Sequence, residues 1–241
     1  MQRAFLVAAA CAVALLVACS GGATSRSGSA RSSPSPSPMP TNPTGVALYP
    51  GSRILVSQRW SQTVSSAQAG RTGLFAAGAG TYHGRQVIAA TQASLGELRR
   101  WIRTLSAQPP AGYTTLATGS GVDEARRQAE RFGIDVAAFT RQRRRDGATV
   151  GLLVLAVDPH RVTRKLGLAL GLMEKFESLP ASLRAPVDDQ VRTQFGFTAT
   201  AALAPGAPLG SALAAVRLLR TGSERAVVII DATKQRSTKQ R

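Results

Sequence analysis

Few side chains in this 241-residue chain could do covalent or metal chemistry. Two histidines, His83 and His160, and two cysteines, Cys11 and Cys19, are all it has of those types. The histidines form no H-x-x-x-H pair. Zinc fingers, iron–sulfur clusters and disulfide scaffolds all need more ligands than this. No Gly-x-Ser-x-Gly elbow occurs, and Gly119-Ser120-Gly121 has a single residue between its glycines. No G-x-x-x-x-G-K-[ST] phosphate loop occurs either. The run Gly78-Ala79-Gly80-Thr81-Tyr82-His83-Gly84 has one residue too many before its last glycine for a dinucleotide fingerprint, and it precedes a strand pattern rather than a helix. No catalytic residue, cofactor or metal site is therefore assigned.

What remains is a set of acids at the ends of predicted elements. Asp158-Pro159-His160 follows an apolar strand, where ligands collect in open α/β sheets. The same residues read as an ordinary helix start, with Asp158 as N-cap and Pro159 at the first helical position. Asp158 and His160 also define the alternative functional reading, a hydrolase site of unfamiliar pattern. Asp188-Asp189 falls in the first turn of a helix predicted after Pro186, where acids offset the dipole. Asp231 ends the last strand with no assigned partner.

Positive charge is the stronger chemical signal. Lys and Arg number 30 against 13 acids, a net charge of +17, and no acid precedes Glu97. Twenty-six of the basic residues are arginine, which binds phosphate and carboxylate bidentately. Arg141, Arg143, Arg144 and Arg145 cluster before the Asp146-Gly147 turn and are the candidate anion-binding residues. Aromatic residues make up only 5% of the chain and none interleaves this cluster, so a nucleic-acid partner is not expected. A generic basic surface is the alternative reading of the same run.

The elements that must position these groups can be read from periodicity. Arg53 to Ser57 reads as a strand, residues 61–80 as a loop with room for one weak strand at the apolar patch Gly73-Leu74-Phe75-Ala76, and Gly84 to Thr91 as a strand. Ser94-Leu95-Gly96-Glu97 is a capping box opening a helix, with Leu95, Leu98, Trp101, Ile102 and Leu105 on one face until Pro109-Pro110. A strand is expected at 112–117, a helix from Val122 with Gly133 as its C-cap, and a further short helix from Asp135 to Arg144. Val150 to Val157 is continuously apolar, the mark of a strand buried on both faces. Helices follow from Pro159, from Val187 to Phe195 and from Pro208 to Thr221, with Pro180 and Pro186 as breakers. Ala226 to Ile230 is a last buried strand. The expected class is α+β, a mixed β-sheet covered by helices and preceded by a disordered tether.

The first residues look like an address. Arg3 precedes a thirteen-residue apolar run, Leu6 to Ala18, too short for the roughly 20 residues that span a bilayer. The run ends Leu16-Val17-Ala18-Cys19. This resembles the lipobox of bacterial lipoproteins, whose cysteine is acylated after the preceding peptide is cleaved. The resemblance implies a signal peptide at 1–18 and lipidation of Cys19. Cys11 lacks a large residue three positions before it and sits mid-run. A plain secretory peptide would need a small-residue site that Val17 spoils. Two or three acyl chains on one cysteine pass the threshold for stable anchoring.

Residues 19–44 are expected to form the lipidated cysteine and a disordered linker, with eight Ser, five Pro and three Gly between 20 and 44. Extended, that tether spans about 75 Å; coiled, it averages about 30 Å. The folded body runs from 45 to 233, with a basic flexible tail at 234–241. Its Tyr49-Pro50-Gly51 turn resembles the opening of a group of uncharacterised bacterial lipoproteins, which implies no activity. The expected role is a membrane-anchored envelope lipoprotein, binding or structural rather than catalytic. Its partners would be the membrane through the lipid anchor and lipopolysaccharide, peptidoglycan or an envelope protein. The resemblance implies the outer membrane facing the periplasm in a Gram-negative cell, Ser20 not being the retaining aspartate, and the outer face of the plasma membrane in a Gram-positive one.

Overall fold

Two runs without polar interruption, 150–157 and 226–230, pair with each other and form the middle of the molecule. The computed structural model describes residues 42, 44–64, 78–116, 126–127, 129–142, 148–164, 175–176, 178–195, 198–203 and 207–235. Cys19, nearly all of the tether, Arg143, Arg144 and Arg145 lie outside those residues. The strands are β1 (Arg53–Val64), β2 (Gly80–Thr91), β3 (Thr114–Thr115), β4 (Ile134–Gln142), β5 (Thr149–Val157) and β6 (Arg225–Lys234). They form one sheet in the order β1-β2-β6-β5-β4-β3.

The α+β class and the helical cover are as expected. Strand direction is a separate matter: a mixed sheet was the expectation, and all five pairings are antiparallel. Continuous apolar runs report burial on both faces, which usually accompanies parallel strands. Here an antiparallel sheet is covered on both sides. On one face, α1 (Leu95–Ala107) packs Leu98 and Ile102 over Phe139, Leu152, Val154, Val227 and Ile229. On the other, α4 (Pro208–Leu219) packs Leu209, Val216 and Leu219 over Ile134, Leu153, Leu155, Val228 and Ile230. Between them in the chain come α2 (Ala181–Phe195) and α3 (Ala199–Leu203). Buried Gln86 donates to the Pro208 carbonyl at 2.9 Å and accepts from Gln58 at 2.7 Å, so its amide does not go unsatisfied beneath α4.

Local chemistry explains where several elements start. The capping box is formed: the Glu97 N–H donates to Ser94 Oγ, and the Ser94 N–H donates back to Glu97 Oε2. The Ser94 hydroxyl also donates to Glu97 Oε2 at 2.7 Å, and that bond together with the Ser94 N–H holds the Glu97 carboxyl below its ordinary value. The Tyr49-Pro50-Gly51 turn closes with Ser52 N donating to Tyr49 O at 3.1 Å, and Gly51 takes φ +73° as a type II turn demands. Tyr49 then meets Trp101 of α1 edge-on, with ring centroids 5.9 Å apart. Contacts of the body reach back before residue 45, its expected start. Asn42 Oδ1 accepts from the Thr44 N–H and hydroxyl, Asn42 Nδ2 donates to the Val46 carbonyl, and Val46 is buried under α1.

Four local expectations are corrected. The first strand extends to Val64, into the segment expected to be a loop, because it pairs along its whole length with a β2 that starts at Gly80. Asp135 does not cap a helix to Arg144. Residues 134–142 form β4, pairing residue for residue with β5 and burying alternate side chains on opposite faces. Gly133, at φ +82°, turns the chain from a helical segment at 129–131 directly into that strand. Pro186 lies inside α2 rather than ending a helix. It forgoes its backbone bond to Ser182, on an exposed stretch of the helix. The last strand continues past Ile230 to Lys234, which pairs with Tyr82, so the first residue of the expected tail belongs to the sheet.

The contact of α1 with the sheet predicts a large core effect. Leu98→Ala should cost about 2–5 kcal/mol, since Leu98 is wholly enclosed and nothing around it can collapse cheaply. Urea unfolding followed by circular dichroism measures it; a loss under about 1 kcal/mol would mean that α1 is not a structural cover.

Candidate functional site

On the sheet face that carries α1, but beyond the helix, two rows of side chains cross the strands. One row runs Arg59 on β1 opposite Arg85 on β2, then Asp231 on β6 opposite Leu152, and Leu152 opposite Phe139. The next row runs Ser61, His83, Thr233, Val150 and Arg141. From these rows Arg59, Arg85, Asp231, His83, Thr233, Val150 and Arg141, with Thr44, Trp60 and Gly84, line an open depression of about 620 Å³ whose one acid is Asp231, while Leu152 and Phe139 are buried in the core beside it.

Asp231 holds the depression together. Gln235 N donates to Thr81 O at 2.7 Å, so in the alternating antiparallel pattern His83/Thr233 and Arg85/Asp231 are the positions due to exchange backbone bonds. The Cα pairing lapses at Gly84 and Arg85 and resumes at Gln86↔Ile230. Arg85 N donates to the Asp231 carboxylate, at 2.6 Å to Oδ1. Gly84 permits this: a Cβ there would stand 1.8 Å from the Asp231 carbonyl oxygen. Burial pushes the Asp231 carboxyl up from its ordinary value, against the Arg85 N–H bond and the charges of Arg85, Arg141 and His83. Among the described residues, its Oδ2 accepts no hydrogen bond.

The cations differ in their commitments. Arg141 lies over the Tyr113 ring, with Cζ 4.5 Å from the centroid, and its buried Nε has no hydrogen-bond partner among the described residues. The Tyr113 hydroxyl is likewise buried without a partner there, and burial raises its pKa. Neither Arg59 nor Arg141 has a carboxylate partner among the described residues. A second depression, of about 580 Å³, is lined by Arg99, Arg103, Arg126, Glu130 and Asp135. Its chemistry is already spent in part, because Arg99 Nε grips both Asp135 oxygens at 3.1 Å and so docks α1 onto β4.

Of the residues singled out from sequence, Arg141 and Asp231 meet in the first depression, with His83. Arg143, Arg144 and Arg145 lie outside the described residues, as does Cys19. Asp158 behaves as a cap: Oδ1 accepts from His160 N at 3.1 Å and Arg161 N at 3.2 Å. The His160 ring bonds the Gly222 carbonyl. Asp188 is not in a first turn; from mid-α2 it accepts from Thr200 N at 2.9 Å and Oγ1 at 2.6 Å, satisfying the start of α3. Asp189 pairs with exposed Arg192. Sequence reasoning missed Arg59 and Arg85. Had the first strand been extended past Ser57, period-2 alternation would have put Arg59 on a sheet face. Among the described residues, no three His, Cys, Asp or Glu side chains gather as a metal site. No helix there is long and apolar enough to cross a membrane. No family model matches the chain, and no curated protein or solved structure is found similar to it.

The raised Asp231 pKa fixes a sign. The folded chain holds this proton more tightly than the unfolded chain, so stability falls as pH rises from the unfolded carboxylate value of about 3.9 through the folded one. Asp231→Asn keeps an oxygen for the Arg85 N–H and removes that cost. Its Tm should exceed that of the parent at pH 7, with the gap closing toward pH 4. A gap independent of pH would show that burial of the charge is not its cause.

Proposed function

We propose that the chain is a lipid-anchored bacterial envelope protein, held by an acylated Cys19, whose body binds an anionic envelope component without performing chemistry on it. The anchoring half rests on the Leu16-Val17-Ala18-Cys19 resemblance and the Ser/Pro-rich segment after it. The binding half rests on one observation: Arg59 and Arg141 line an open depression with no carboxylate partner among the described residues, beside Arg85 and His83. Guanidinium groups bind oxyanions in paired, directional hydrogen bonds, and a shallow basic floor accepts a surface-borne ligand more readily than a closed pocket does. Arg143, Arg144 and Arg145 follow Arg141 after one residue in the chain, and this stretch of sequence is strongly basic. The alternative, hydrolysis at Asp158 and His160, is disfavoured because backbone groups engage both side chains.

Each half has its own test. Cys19→Ser should move the protein from the membrane to the soluble fraction and abolish palmitate labelling; retention with label intact would sink the anchor. Binding of the purified protein to anionic envelope polymers should weaken steeply between about 50 and 300 mM salt, as screened contacts do. Arg59→Ala or Arg141→Ala should each lower affinity about tenfold, the worth of one charged hydrogen bond, while His160→Ala leaves it unchanged. Salt-insensitive binding, or loss through His160 alone, would favour the hydrolase reading.

A further inference from the structure

The depression has an acid at its centre and, at its sides, Arg59 and Arg141 with no carboxylate partner among the described residues, which is a poor cradle for a single bare anion. Asp231 sits on β6, two strands from Arg59 on β1 and two strands from Arg141 on β4. At about 4.8 Å per strand, the two arginine backbones stand about 19 Å apart, and both residues line the depression, Arg141 with its guanidinium over the Tyr113 ring. An anion placed midway would meet the Asp231 carboxylate. An anion at either rim would meet a guanidinium, leaving the floor between for the rest of the ligand. That floor offers Asp231 Oδ2, the Thr233 hydroxyl and the His83 ring. None of the three is engaged by a hydrogen bond among the described residues, and all are polar. Asp231 Oδ2 accepts hydrogen bonds, so it calls for a donor such as a hydroxyl.

Resting on the anion-binding reading above, we propose that this site takes an extended polyol or sugar bearing two anionic groups, one held by Arg59 and one by Arg141, with intervening hydroxyls donating to Asp231. A soluble phosphosugar and a polyol-phosphate polymer of the envelope share this chemistry. Asp231 then selects rather than attracts: it repels anions that bring no donor to the centre and rewards those that do. The carboxylate is held in place for this by the Arg85 N–H and by the close strand approach that Gly84 allows.

Calorimetric titration of the full-length protein in non-ionic detergent tests it with four probes. Fructose 1,6-bisphosphate has hydroxyls between two phosphates; 1,6-hexanediol bisphosphate has the same charges without them; inorganic phosphate has one anion; glycerol-phosphate polymer repeats the pattern. The sugar bisphosphate should bind about tenfold tighter than the hexanediol compound, the contribution of a hydrogen bond to a charged acceptor, and tighter still than inorganic phosphate. In Asp231→Asn, sugar bisphosphate affinity should fall while hexanediol bisphosphate affinity holds or rises. Simple unfolding would lower both, and a melting curve of the variant checks for it. A polymer that outcompetes the sugar bisphosphate identifies the envelope source, and the reverse order identifies the soluble one. Equal affinity for both bisphosphates in the parent protein, unchanged in the variant, overturns the proposal while leaving anion binding intact. No binding of any probe overturns both.

Discussion

A carboxylate occupies the place of a backbone carbonyl in the middle of the sheet. Asp231 takes the Arg85 N–H that its own peptide oxygen would otherwise receive, and the strand pair lapses for two residues around it. Such a substitution is costly in a ladder unless the displaced peptide has room, and the bare Cα of Gly84 provides it. The consequence is a fixed negative group on a floor of positive ones, in a part of the face that α1 does not cover. Under α1 the same face is largely apolar, whereas here charged side chains from β1, β2, β6 and β4 line one open depression.

The layers make that exposure affordable. With α1 on one side and α4 on the other, β4, β5 and β6 bury both faces over most of their length, so the sheet does not depend on the charged end for cohesion. Arg99 and Asp135 lock α1 onto β4, and Gln58 and Gln86 tie α4 to β1 and β2. Polar groups inside these contacts are matched to each other, whereas Arg59 and Arg141 are turned outward. Stability and binding are thereby assigned to different stretches of the same strands.

Local signals were legible in the sequence wherever a few neighbouring residues decide the outcome. The Ser94–Glu97 box, the Tyr49–Gly51 turn, the Asp158 cap and the apolar runs of β5 and β6 all belong to this kind. Each is settled by contacts within four residues or by burial alone. Strand direction, the fate of Asp135 and the depression itself were not legible. Ile134 to Phe139 is short, apolar and rich in alanine, and such a run is ambiguous between helix and strand until β5 lies beside it. Arg85 and Asp231 are 146 residues apart, and only the register of β2 on β6 brings them together. Arg59 lies past the Arg53–Ser57 stretch that reads as a strand, and only pairing with β2 carries β1 on to Val64 and sets Arg59 on a sheet face.

Thr44 and Thr233 line the same depression, so the segments leading toward both termini depart from one place on the body. That proximity makes the body a candidate for circular permutation: a short Gly/Ser bridge could join the two ends, and new ends could open at an exposed turn on the far side. The rearranged chain would present the basic floor with neither flanking segment beside it. Conversely, a fusion or affinity handle joined directly at Thr44 or Gln235 would stand where it can crowd that floor, and is better inserted in a loop remote from it.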